Sequence, residues 1–212
     1  MAYRLFIFDF DGTLSDSLAW FSRNYNAIAV HHGLRTVDEQ ELQMLRGRSN
    51  TEIIRQLNVP MWKVPALAAD MRARMAADVA NIRLFDGVDE MLERLHAGGA
   101  RIAIVTSNSE ANVRAILGEG NARLVDHFDC GASMFGKARK LKRTMQQLRI
   151  GPRETMFIGD EVRDIEAARS AGTAAGAVAW GYATPEVLTA HRPTVLFERM
   201  EQIGPTTPAN PS

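Results

Sequence analysis

The stretch that decides the fold is RLFIFDFDGTLSDS, residues 4–17. Its first half contains the apolar run LFIF, which predicts a buried strand over residues 3–9. Asp9 and Asp11 interrupt this run, and Gly12 follows directly. Burying a carboxylate costs free energy unless the carboxylate is paired with a cation or binds a metal. The rest of the sequence should therefore supply a partner for these two acids.

The composition is that of an ordinary globular protein. The 212 residues are 46% hydrophobic and 24% charged, which fits one domain with a modest insertion. Lys plus Arg equal Asp plus Glu at 25 each, so a nucleic acid or an anionic membrane is not expected as a partner. Cys130 is the only cysteine, no secretion signal or membrane-length apolar run is seen, and we expect a cytoplasmic protein. The oligomeric state cannot be read from the sequence.

Between the first strand and residue 83 the pattern is helical. Thr36 and Glu39 have the spacing of a capping box, which predicts a helix start there. A later stripe, Leu67, Met71, Met75 and Val79, predicts a long helix whose methionines fill a core.

From residue 83 onward, strands alternate with helices, which predicts a parallel, doubly wound sheet. The expected fold class is therefore α/β, with a Rossmann-like sheet as core and a small all-helical cap inserted after the first strand. The predicted boundaries are 1–14 and 83–205 for the core, 15–82 for the cap, and 206–212 for a disordered, proline-rich tail.

Polar residues follow four separate strands of the predicted sheet. In an open parallel sheet, ligands bind beyond the carboxyl ends of the strands. After Asp9 and Asp11, the later strand ends carry Thr106, Ser107 and Asn108, then Lys137, then Asp160 with Glu161 and Asp164. Carboxylates that crowd together need a cation, and a site of oxygen ligands without a His or Cys cluster favours Mg²⁺. A lysine and hydroxyls beside such an ion would hold a phosphate. Ser107 and Glu110 are also predicted to cap the helix that follows the second strand.

These motifs also carry a family resemblance. DFDGTLSDS, IVTSNS, the lysine after the third strand and FIGDEVRD resemble, in order and spacing, the four motifs of the haloacid dehalogenase superfamily. The first motif is similar to that of the phosphoglycolate phosphatase-like branch, whose members carry a helical cap. The resemblance covers residues 3–200.

The resemblance implies a role for each motif residue. Asp9 would be the nucleophile that forms an aspartyl-phosphate, and Asp11 would protonate the leaving alcohol and later deprotonate water. Thr106 and Lys137 would contact the phosphoryl group. Further phosphate contacts would come from Gly12, Ser107 and Asn108. The expected metal ligands, direct or through water, are Asp9, Asp11, Asp160 and Asp164, with Glu161 as a further candidate for a metal-bound water.

Two basic residues leave alternatives open. The run GKARKLKR offers both Lys137 and Lys140 as the site lysine, and we prefer Lys137 because it follows Gly136, ahead of the predicted helix. Arg46, in a break between cap helices, is either a solvated side chain or binds a second anionic group of the substrate.

The function expected from the sequence is a Mg²⁺-dependent phosphomonoester hydrolase. Its substrate would be a small phosphorylated metabolite, phosphoglycolate-like or another anionic ester. A phosphomutase similar to β-phosphoglucomutase is the first alternative. A non-catalytic sensor of a phosphorylated ligand is the second, because one fold serves several functions.

Overall fold

The fold is known from a computed structural model, which describes residues 3–45, 50–131 and 136–205. Its centre is a sheet of six parallel strands in the order β3-β2-β1-β4-β5-β6. The strands are β1 Leu5–Phe8, β2 Arg101–Val105, β3 His127–Asp129, β4 Thr155–Gly159, β5 Ala174–Val178 and β6 Val195–Phe197. The strand β1 is therefore central, and Phe8 lies opposite Ile104 of β2 and Ile158 of β4. The sheet confirms the predicted α/β class.

Helices fall into two sets along the chain. Within the described residues, four of them lie between β1 and residue 83, and we call these the cap helices: α1 Leu18–His31, α2 Glu39–Leu45, α3 Asn50–Gln56 and α4 Val64–Ala77. The others alternate with the strands: α5 Val88–Ala97, α6 Glu110–Leu124, α7 Lys137–Leu148, α8 Val162–Ala171 and α9 Pro185–Ala190. Among the described residues, no helix combines the length and the apolar character needed to cross a membrane.

Both faces of β1 are buried, which explains its unbroken apolar run. Phe6 and Phe8 pack into the cluster that holds the apolar side chains of α5 and α6. Leu5 and Ile7 point the other way and pack with side chains of α7 and α8. Since successive side chains of a strand alternate between faces, a strand covered by helices on both sides needs apolar residues at every position.

The cap helices have an apolar cluster of their own. Its buried members are Tyr25, Ala29, Val37, Leu45, Leu57 and Val59. A separate small cluster of Trp20, Met75 and Ile82 packs against Ile116 of α6 and so joins the cap helices to the sheet region. The assignment of residues 15–82 to a distinct domain stays a prediction.

The chain leaves the sheet and returns to it through two adjacent linkers. Ser15 and Leu84 form an antiparallel bridge. The amide of Asp16 donates to the carbonyl of Arg83 at 2.9 Å, and that of Phe85 donates to the carbonyl of Leu14 at 2.9 Å. We call these two segments the paired linkers, and they fix the base of the cap helices next to the end of β1.

Two predicted helix caps were wrong. Helix α2 begins at Glu39, and the Asp38 carboxylate accepts a hydrogen bond from the amide of Glu41 at 2.7 Å. Thr36 lies three positions before the first helical residue and is therefore too early to be the N-cap. Helix α6 likewise begins later than predicted, as described below.

Candidate active site

The end of β1 places the first two acids just ahead of a tight turn at Gly12. Asp9 is buried, and its amide still follows the sheet by donating to the carbonyl of Ile158 at 2.8 Å. Gly12 has a φ of +78°, a left-handed conformation that favours glycine. Just before this turn, the Asp11 carboxylate accepts from the Asn108 amide group at 3.1 and 3.3 Å.

Asp160, just after β4, is held by the same turn. The hydroxyl of Thr13 donates to one of its oxygens at 2.9 Å, and the amide of Tyr182 donates to the other at 2.8 Å. A Cβ on Gly12 would stand 2.8 Å from Cγ of Asp160 and closer still to an oxygen. A Cβ on Gly181 would meet the same carboxylate oxygen at 2.6 Å. A side chain at either glycine would therefore overlap the buried Asp160 carboxylate.

Lys137 links the first carboxylate to the last. Its ammonium donates to Asp9 and to Asp164, each at 2.6 Å. The sequence predicted Lys137 in the loop ahead of this helix, but in the structure it is the first residue of α7. Lys140, the alternative lysine, instead pairs with Asp129 at 2.6 Å. The structure thus brings Lys137, and not Lys140, to the carboxylates.

The environment keeps the Lys137 ammonium charged. Burial works against the charged form, but the negative charges of Asp164 and Asp9 outweigh it and raise the pKa of Lys137 above its ordinary value. The other oxygen of Asp164 accepts from the amide of Glu161 at 3.0 Å, which ties this carboxylate to the start of α8.

Three of the predicted metal ligands form a cluster that fits a divalent cation. Oxygens of Asp9, Asp160 and Asp164 lie within 4.8 Å of one another, and all three residues are buried. Burial, followed by the charge of Glu161 and of the other two cluster members, raises the pKa of Asp160 well above its usual range. A cation among these oxygens would relieve that repulsion, and oxygen donors alone suit a hard ion such as Mg²⁺.

The carboxylate of Asp11, also predicted as a metal ligand, is not in this cluster within the described part of the chain. It is half-buried and faces Asn108 instead. Burial, together with the charge of Asp9, raises the pKa of Asp11 to about 6, while hydrogen bonds from Ser17 and Asn108 oppose the rise. Such a carboxyl group exchanges its proton near neutral pH, as a general acid and base must.

The end of β2 brings the predicted phosphate-binding residues to the same rim. Thr106 is buried, and its hydroxyl oxygen accepts from the amide of Asn108 at 3.1 Å. Ser109, and not Ser107, caps α6, because its hydroxyl accepts from the amide of Asn112 at 3.2 Å. Ser107 is therefore left at the rim without a capping role. Arg46, the predicted contact to a second substrate anion, lies outside the described residues.

Sequence reasoning missed several residues of the site. Thr13 and Tyr182 hold Asp160, and Arg163 pairs with Glu161 at 2.6 Å. Tyr182 follows β5, so the rule that ligand groups follow parallel strands could have identified it. Met75 of α4, predicted to be core filler, reaches the site, where its sulfur accepts from the Asn108 amide group at 3.0 Å.

A second cluster of possible ligands lies on the cap helices. His31, His32 and Asp70 have ligand atoms within 4.8 Å of one another. Asp70 already accepts from Arg74 at 2.9 Å and is paired with His32 at 3.0 Å. These contacts account for the cluster as a link between α1 and α4.

Comparison with known proteins finds related sequences along most of the chain. Residues 6–178 match the family model for haloacid dehalogenase-like hydrolases. A phosphoglycolate phosphatase of Synechococcus elongatus is 34% identical over 91% of each chain. The tyrosine-protein kinase PtkA of Mycobacterium tuberculosis is 29% identical over 91% of this chain and 68% of its own.

A solved structure supports the fold alone. The crystal structure of a Lactobacillus plantarum protein superimposes with a TM-score of 0.83, covering 96% of this chain and 98% of that one at 20% identity.

The class defined by the fold and the rim of carboxylates is a phosphatase with an α/β core. The chain belongs to the haloacid dehalogenase-like hydrolase family, in the branch similar to phosphoglycolate phosphatases.

Proposed function

We propose that the protein is a Mg²⁺-dependent phosphomonoester hydrolase that acts on a small phosphorylated metabolite through an aspartyl-phosphate at Asp9. One observation carries the proposal. Asp9 is buried at the end of the central strand, bound to Lys137 at 2.6 Å and within 4.8 Å of the oxygens of Asp160 and Asp164. A carboxylate that is held by a lysine, beside two further carboxylates that could bind a cation with it, is suited to attack a phosphoryl group.

The chemistry divides into two steps. In the first, a carboxylate oxygen of Asp9 attacks phosphorus, the bond from phosphorus to the ester oxygen breaks, and Asp11 gives its proton to the leaving oxygen. In the second, water attacks phosphorus, Asp11 takes a proton of that water, and the bond between phosphorus and the Asp9 oxygen breaks, which frees phosphate and the Asp9 carboxylate. The pKa of about 6 lets Asp11 serve in both directions.

Other residues balance charge and orient the ester. The Lys137 ammonium lies where it can offset the charge of Asp9 and of the phosphoryl oxygens. Gly12, Thr106, Ser107 and Asn108 are the proposed phosphate contacts. Asp9, Asp160 and Asp164 would hold Mg²⁺, which when bound neutralises negative charge on the phosphoryl group.

The substrate is part of the proposal. The Synechococcus relative is named a phosphoglycolate phosphatase, which favours a small ester of that kind. A second anion bound by Arg46 stays a prediction. A phosphomutase would return an isomer instead of free phosphate, and a sensor would bind the ester without turnover. Transfer of phosphoryl groups to tyrosine, the activity that the name PtkA states for that relative, is a separate outcome to measure.

The test uses p-nitrophenyl phosphate, with and without Mg²⁺, on the wild type and on Asp9→Asn. We expect the variant to lose roughly 10⁴- to 10⁶-fold in kcat, because removing a nucleophile removes the covalent route. Asp16→Asn is the matched control, since Asp16 is an exposed acid of the same loop, and it should keep full activity. Intact-mass analysis after rapid quenching should find a phosphoryl adduct on the wild type only. Turnover by Asp9→Asn comparable to that of the control would refute the mechanism.

A further inference from the structure

A cavity of about 240 Å³ opens from the candidate active site toward the cap helices. Asp11, Ser107 and Asn108 line its inner end. The cap helices α1, α3 and α4 supply most of the remaining wall, and its apolar members include Phe21, Ile53, Ile54, Leu67, Met71 and Met75. The cavity has room for roughly eight groups the size of a water molecule or a methylene.

The position of Asp11 indicates which part of the substrate would occupy the cavity. This step rests on the proposed function, in which Asp11 protonates the leaving oxygen. That oxygen must lie within hydrogen-bond reach of the Asp11 carboxyl group. Because Asp11 lines the cavity and Lys137 does not, the organic group attached to the leaving oxygen continues into it.

The chemistry of the wall selects the leaving group. Among the described residues that line the cavity, the only charged side chains are Asp11 at its inner end and Arg72. The hydroxyl of Tyr25, another lining residue, already donates to the carbonyl of Arg35 at 3.4 Å. A sugar placed here would lose hydrogen bonds to water that the apolar wall does not replace. An alkyl or aryl group would lose none and would remove apolar surface from water.

We propose that the cavity is a subsite for an apolar leaving group, so that the preferred substrates are monophosphate esters of aliphatic or aromatic alcohols. The subsite places the specificity of the enzyme in contacts with side chains of α3 and α4. It favours such esters over the small phosphoglycolate, whose leaving group carries a carboxylate.

The test is a series of n-alkyl phosphates from methyl to hexyl. These alcohols are nearly equal as leaving groups, so a change in rate along the series reports contacts made by the chain. We expect kcat/KM to rise about three- to fourfold per added methylene, as for transfer of a methylene out of water, until the cavity is full. Hexyl phosphate should be hydrolysed with a higher kcat/KM than 2-phosphoglycolate.

Two variants locate the effect in the cavity. Ala68 lines it, so Ala68→Phe should fill the space and flatten the rise with chain length. Leu67→Ala should also reduce the rise in kcat/KM with chain length, because it removes an apolar contact. It keeps the test informative if Ala68→Phe does not fold. Met61→Ala is the control: Met61 is 56% exposed and is not among the lining residues, so the full rise should persist. Circular dichroism and thermal melting establish that each variant is folded.

The outcomes separate the two proposals. A flat series, or a preference for 2-phosphoglycolate over every alkyl ester, overturns the apolar subsite while leaving the phosphatase mechanism intact. An equal rise in all three variants would show that the apolar contact is made outside this cavity, which also overturns the proposed subsite. If p-nitrophenyl phosphate, 2-phosphoglycolate and every alkyl ester resist hydrolysis, the proposed function fails and the subsite fails with it.

Discussion

Replacing Gly12 by alanine tests the link between the turn after β1 and the carboxylate after β4. Gly12 has a φ of +78°, and an added Cβ would lie 2.8 Å from Cγ of Asp160. Carbon atoms in contact prefer about 3.5–4.0 Å, so the Asp160 carboxylate must move by roughly 1 Å. Thr13 and the amide of Tyr182 hold that carboxylate from the other directions, which makes the movement costly.

Two effects of different size are expected from Gly12→Ala. The left-handed conformation alone should lower the free energy of unfolding by about 1–2 kcal/mol. Misplacing a catalytic group by about 1 Å should lower kcat/KM roughly 10²-fold. Urea denaturation measures the first effect, and p-nitrophenyl phosphate hydrolysis in saturating Mg²⁺ measures the second.

Gly99→Ala is the matched control for this experiment. Gly99 has a φ of +76°, almost that of Gly12, but an added Cβ would have no neighbour within 4 Å. It lies between α5 and β2, at the amino end of that strand and so away from the rim. The control should therefore show only the loss of about 1–2 kcal/mol that the left-handed conformation causes, with unchanged kcat/KM. If the two variants have equal kcat/KM, the close fit around Asp160 has no bearing on activity and the reasoning is refuted.

Two further predictions concern the metal and the thiol. Ca²⁺ should inhibit the Mg²⁺-supported reaction, because a larger ion that takes more oxygen ligands would engage the Asp9 oxygen needed for attack; equal rates with both ions would contradict this. Burial, with the charges of Glu110 and Asp129, raises the pKa of Cys130 to about 12, so at pH 7.5 a disulfide reagent should label the native thiol roughly 10³-fold more slowly than the unfolded one. Comparable labelling rates, followed by absorbance with and without urea, would show that the thiol is not shielded.

The rim of the site was predictable because it depends mainly on chain order. Parallel strands bring their carboxyl ends to one edge whatever the details of packing, so Asp9, Thr106 and Asp160 could be grouped from sequence alone. Lys137 could be preferred over Lys140 because it follows Gly136, ahead of the predicted helix, although in the structure it is the first residue of α7. The structure agrees with that preference, since Lys140 pairs with Asp129 instead.

The residues that were missed depend on the backbone path after the strand ends. Thr13 reaches Asp160 only because the turn at Gly12 folds back. The Tyr182 contact is made by a backbone amide, so only the place of this residue after β5, and not its residue type, could have signalled it. The apolar cavity was hidden for another reason. A stripe such as Met71 and Met75 has the same helical spacing whether it fills a core or lines a space, and only the packing of α4 against the core separates these cases.

The paired linkers affect how the sequence between them can change during evolution. Because Ser15 and Leu84 already meet, everything between them is a closed loop whose ends are fixed by the ladder at its base. The entropy lost in closing a flexible loop rises only with the logarithm of its length, by about 0.6 kcal/mol for each doubling. Residues can therefore be gained, lost or exchanged between the linkers with little effect on the strand that carries Asp9. Under the proposed function, evolution could rebuild the segment that contacts the alcohol while keeping the strand that carries the nucleophile.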